Sequence, residues 1–168
     1  MEEWRRLRDF GLKLHQERQN VARDMQQLGE RFRSASDNFA KANRYLQELE
    51  AARQSFQLEL AACDGAQQRE LELKLWTIEE LAFVHGGKRW LFLNATLRIH
   101  RVLRMNEAFL DLLNDLAVQV QRTLQASLDL LRCFARGDQP DRCLWAEFQQ
   151  AANRLAHPYK VYQELQQQ

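Results

Sequence analysis

A chain of 168 residues is long enough for one domain with a substantial core and short for two. Its 45% apolar and 28% charged residues are the balance of an ordinary soluble protein, and a net charge of +1 argues against a surface given over wholly to nucleic acid. Two prolines and six glycines are too few for a turn-rich sheet and favour long continuous helices.

The N-terminal segment MEEWRRLRDFGLKLHQERQ has no apolar h-region, so no secretory signal is expected there. From Trp4 onward the chain carries a heptad pattern. One seam reads Trp4, Gly11, Arg18, Met25, Phe32, Phe39, Leu46, Arg53 and Leu60. Its companion reads Leu7, Leu14, Val21, Leu28, Ala35, Ala42, Leu49, Phe56 and Cys63. Steps of three and four residues average about 3.5, the period at which helices stay in contact by supercoiling. A first helix over 1–63 is therefore predicted. At about 60 residues it would be roughly 90 Å long, which implies a rod. Bulky Phe32 and Phe39 alternate with small Ala35 and Ala42, a pattern that suits an antiparallel partner of different sequence. Arg18 and Arg53 interrupt the apolar seam. Either their stems pack while their charged heads reach outward, or each meets a carboxylate on the facing helix.

Cys63-Asp64-Gly65 is the predicted stop of that helix, with Gly65 free to adopt the left-handed conformation. Helix resumes over 66–84, is interrupted at His85-Gly86-Gly87, and continues over 88–135. The interruption is either a kink in one long return helix or a full turn giving four or five helices. The kink is preferred, because a return of that length matches the outgoing helix and short connections favour antiparallel neighbours. His85 at the break would satisfy a freed carbonyl. The apolar stripe of 88–135 is wider than that of the first helix, so it faces two neighbours, a third helix or a second copy of the chain. Arg136-Gly137-Asp138-Gln139-Pro140 is a helix stop. Asp138 or Asp141 caps a short helix over 141–156, Pro158 breaks it, and 159–168 is a tail. The expected fold is all-α: an elongated antiparallel coiled coil or helical bundle forming a single helical domain over 1–168.

Signals for chemistry are sparse. No Glu has a His three residues later, as di-iron bundles require, and neither HExxH nor CxxCH occurs. The glycines are scattered, so no loop cradles a phosphate. Cys63, Cys133 and Cys143 lack CxxC spacing and are odd in number, which fits a reduced, cytoplasmic compartment better than a disulfide scaffold or zinc site. No catalytic residue, metal ligand or cofactor is expected, and the chain is read as not an enzyme.

One feature stands out. Between Glu80 and Glu107 there is no acidic residue, yet Lys88, Arg89, Arg98, Arg101 and Arg104 all fall there. These five are candidate contacts for an anion or an acidic partner. Otherwise they face Glu48, Glu50 and Glu59 across the seam. Trp76, Trp90, Phe92 and Trp145 are apolar side chains left over once the seam is filled, and are candidate interface anchors. The leading expectation is a non-enzymatic coiled-coil scaffold or adaptor that binds a protein partner and self-associates as a homodimer. The second is a peripheral membrane-binding rod, similar in outline to three-helix membrane-curving domains, whose five basic residues contribute about 1 kcal/mol each at an anionic surface. A fainter alternative sets the same arginines on nucleic acid.

Overall fold

The computed structural model of the protein describes residues 2–63 and 65–167. It is all-α: α1 spans Glu2–Ala62, α2 spans Ala66–Ala135 and α3 spans Arg142–Gln166, and no strand occurs among the described residues. Asp64 of the predicted first stop, and Gln168 of the predicted tail, lie outside the described residues.

The heptad pattern explains α1. All eighteen seam positions from Trp4 to Cys63 are buried or half-buried, and the intervening Arg, Gln, Glu and Lys positions are mostly exposed. Seam residues thus lose contact with water while polar ones keep it, which is the main source of stability for a helix of this kind. Arg18 and Arg53 follow their stems into the seam without meeting a carboxylate across it. Arg53 reaches only Glu50 of its own helix at 3.6 Å.

Both interhelical stops are glycines. Gly65 and Gly137 have φ of 76° and 75°, a conformation that a side chain resists. At Gly137 the closure is a Schellman motif. The Asp138 amide donates to the Cys133 carbonyl at 3.2 Å and the Gly137 amide to the Phe134 carbonyl at 3.0 Å. Asp141 holds the cap position of α3, with no side-chain capping bond.

Of the two arrangements open at His85-Gly86-Gly87, the single return helix is the one that forms: α2 is continuous there, so 66–84 and 88–135 are one helix with no turn between them, and His85 serves no freed carbonyl. A glycine inside a helix costs about 1 kcal/mol relative to alanine. Contacts with α1 on either side offset that cost: His85 packs on Tyr45 at 4.4 Å, and Arg89 donates to the Asn43 side chain at 3.4 Å. The predicted break at Pro158 does not form: helix α3 passes through it, so 141–156 and the tail 159–168 form one helix. Proline in a helix interior costs about 3 kcal/mol. Here Pro158 is buried in line with Ala151 and Tyr162, and α1 grips the turns that follow. Phe10 packs edge-on against Tyr159 at 5.1 Å and Tyr162 at 5.7 Å.

Tertiary contacts gather in two compact units. The first holds α1 through Gln26, α2 from Arg104, and α3. Its core is Leu14, Leu113 and Leu116, all fully buried, with Val120 and Tyr162. Gly11 lets α1 and α2 approach closely, since a methyl group there would lie 3.3 Å from Val120 Cγ1. The second unit, Gln27–Leu103, consists of the facing stretches of α1 and α2 alone. The pairing is antiparallel in steady register: Phe32 meets His100, Asn43 meets Arg89, Tyr45 meets His85, and Phe56 meets Lys74. Ala42, Leu49, Leu71 and Ile78 are its buried apolar residues.

Candidate interaction surface

In the second unit, α2 has two apolar faces. The inner face carries Leu71, Ile78, His85, Phe92 and Ile99, spaced by seven residues and turned to α1. A helix turns about 100° per residue, so Trp76, Phe83, Trp90 and Leu97, each five residues further on, lie far round its circumference. They too are spaced by seven. They are 60%, 83%, 64% and 57% exposed. Leu73, Val84 and Leu91 flank them and are exposed as well. Within this unit α2 has only α1 as a neighbour, and α1 occupies the inner face.

The predicted anchors separate accordingly. Trp76 and Trp90 lie on the outer strip. Phe92, two residues past Trp90, is rotated by about 200° and falls on the inner face. It is half-buried and its carbonyl accepts the Thr96 hydroxyl at 2.8 Å. It is therefore a packing residue of the α1–α2 seam, not a free anchor. Trp145 belongs to the first unit. There it meets Phe134 and Phe148 edge-on, at 6.3 and 6.5 Å, beside a recess lined also by Trp4, Leu130 and Leu131. Phe83, Val84, Leu91 and Leu97 went unselected in the sequence. The spacing Trp76, Phe83, Trp90, Leu97 is the signal that could have found them.

The basic residues are similarly divided. Lys88, Arg89, Arg98 and Arg101 are exposed in the second unit. Arg89 turns to Asn43, whereas Arg98 and Arg101 lie on the outer side with Leu91 and Leu97. None of these reaches Glu48, Glu50 or Glu59 in a salt bridge among the described residues. Arg104 belongs to the first unit and pairs with Glu107 at 3.2 Å. The outer strip is charged unevenly along its length: Glu72, Glu79 and Glu80 are exposed near its start, Arg98 and Arg101 near its end. Lys74, in the acidic part, points inward over the Phe56 ring and pairs with Glu70 at 2.7 Å. That contact lowers the Glu70 pKa and raises that of Lys74. Gly87 sits between the two charged ends, and nothing lies within 4 Å of where its Cβ would be.

Among the described residues, no group of three or more His, Cys, Asp or Glu side chains is placed to hold a metal ion, and no helix is long and apolar enough to cross a membrane. No family model, curated protein or solved structure matches the chain.

Proposed function

We propose that the chain is a non-enzymatic helical interaction subunit, a scaffold or adaptor that docks a protein helix on the outer strip of α2 between Leu73 and Arg101. The supporting observation is the exposure of Trp76, Phe83, Trp90 and Leu97 at strict heptad spacing. Scattered apolar residues are normal on a surface, but a contiguous row of large ones marks an interface. Heptad spacing further specifies the shape of the occupant, an amphipathic helix lying along the strip. Tryptophan and phenylalanine are well suited to anchor it, because each covers much apolar area with few rotatable bonds.

Arg98 and Arg101 beside the same strip would suit an anionic membrane or nucleic acid. Glu72, Glu79 and Glu80 share the strip and repel both, which favours a protein partner.

Cross-linking mass spectrometry on complexes captured from cell extract, with the wild-type chain and with Phe83→Glu/Trp90→Glu, tests this proposal. Both positions are exposed, so circular dichroism should show unchanged helicity. The expected result is a partner cross-linked near residues 73–101 and lost in the variant. An identical partner set for the two chains would overturn the proposal. So would sedimentation of the chain with anionic vesicles that disappears on charge reversal of Lys88, Arg98 and Arg101.

A further inference from the structure

We infer that the outer strip of α2 takes α2 of a second copy of this chain, in antiparallel orientation, about a two-fold axis near Gly87. This inference rests on the strip being a docking surface and identifies its occupant.

Three observations carry it. The first is charge. The strip is acidic at Glu72, Glu79 and Glu80 and basic at Arg98 and Arg101. Two copies laid parallel would set acid against acid and base against base. Laid antiparallel, Glu79 and Glu80 of each copy face Arg98 and Arg101 of the other, and the two-fold axis makes this match twice. Such flanking charges set orientation and partner choice in paired helices. The midpoint between these charges falls at Arg89 and Trp90, within one helical turn of Gly87. The second observation is the surface beside that midpoint. Gly87 has no side chain and open space above it, so two backbones can come close near the axis. Phe83 and Trp90 rise on either side of it to close the contact. The third is area. An aromatic side chain covers about 150–250 Å², so the six aromatics of two copies supply much of the roughly 1,200 Å² at which specific interfaces begin.

The intact chain answers the question directly. Light scattering across the micromolar range should show a dimer. Phe83→Glu/Trp90→Glu should weaken it about tenfold or more, as expected of central aromatic anchors. Glu79→Arg/Glu80→Arg should weaken it several-fold, and adding Arg98→Glu/Arg101→Glu to the same chain should restore it. That rescue is a readout that a merely misfolded variant cannot give. Orientation follows from spin labels, with the three native cysteines changed to serine. A label at Lys88→Cys, near the axis along the helix, should lie far closer to its symmetry mate than a label distant from the axis. A label at Gln68→Cys, twenty residues before it, should lie about 60 Å from its mate at 1.5 Å of rise per residue. Short distances at both sites mean a parallel pair and overturn the inference. A chain that stays monomeric also overturns it, as does a dimer indifferent to Phe83→Glu/Trp90→Glu. A monomer would leave protein docking at the strip standing, because the cross-linking comparison tests that separately.

Discussion

Tyr162 ties α3 to α1 by more than apolar contact. Its hydroxyl donates to the Glu17 carboxylate at 2.7 and 2.8 Å, and Lys13 lies 3.7 Å from the same carboxylate and above the tyrosine ring. Burial of the phenol, then the hydrogen bond and charge of Glu17, push its pKa well above the ordinary tyrosine range. The folded chain therefore holds this proton more tightly than the unfolded chain does. The resulting stability is fully present below about pH 10 and is lost as pH rises from there toward the higher folded-state value. Tyr162→Phe should cost about 1–2 kcal/mol at neutral pH, since a hydrogen bond to a charged group is removed. It should also flatten the alkaline fall in stability relative to wild type. Urea unfolding of both chains between neutral pH and about pH 11 checks the two effects together; parallel curves would mean the phenol does not titrate with folding. Close by, Leu14 and Leu116 are fully buried. Truncation of either to alanine should cost about 2–5 kcal/mol, the range for a leucine whose space cannot collapse, measured as a drop in urea midpoint at unchanged slope.

Helices α1 and α2 each contain glycines that local propensity alone would use as breaks. Gly29 and Gly86 lie inside helices with nothing within 4 Å of where a methyl group would sit, so an alanine there meets no clash. Gly29→Ala and Gly86→Ala should each stabilise the chain by about 0.5–1 kcal/mol, from reduced backbone freedom in the unfolded state and better helix propensity. Thermal melts would show this as a rise in Tm for each variant. A fall at Gly86 would mean that the helix there is not regular. Pro158 shows the opposite balance. Its own helical propensity is poor, yet contacts made by neighbouring turns hold α3 in one piece. At Gly86 and Pro158 the outcome depends on packing from another helix, which outweighs a local preference of about 1–3 kcal/mol.

Across the molecule, every described ion pair joins residues on the same helix, adjacent or three to four positions apart. No described salt bridge links one helix to another. Exposed pairs of this kind contribute roughly 0–1 kcal/mol and are screened by salt. Register within each unit is instead set by apolar packing, with Tyr162–Glu17 and Arg89–Asn43 as polar additions. The urea midpoint of the folded chain should therefore change little between low and molar sodium chloride. The self-association inferred above should weaken over the same range, if Glu79 and Glu80 of one copy face Arg98 and Arg101 of the other. A large loss of fold stability in salt would show that charge, not packing, holds the helices together.

The α1 seam was readable from the chain alone, because a repeat of Phe, Leu, Met and Ala at three and four residues specifies a greasy side for any helix that contains it. The stops at Gly65 and Gly137 were readable for a similar reason: a left-handed residue after a helical run is a local requirement. The choice at Gly86 and Gly87 between a return helix and a full turn was left open, since the contacts that hold the helix there, His85 on Tyr45 and Arg89 on Asn43, join residues some forty positions apart. Nor was the fate of the aromatic residues. Phe92 and Trp90 are equally apolar and nearly adjacent, and only the position of α1 makes one a packing residue and leaves the other bare. Periodicity reveals that a helix has apolar sides; which side is covered depends on what the rest of the chain brings against it.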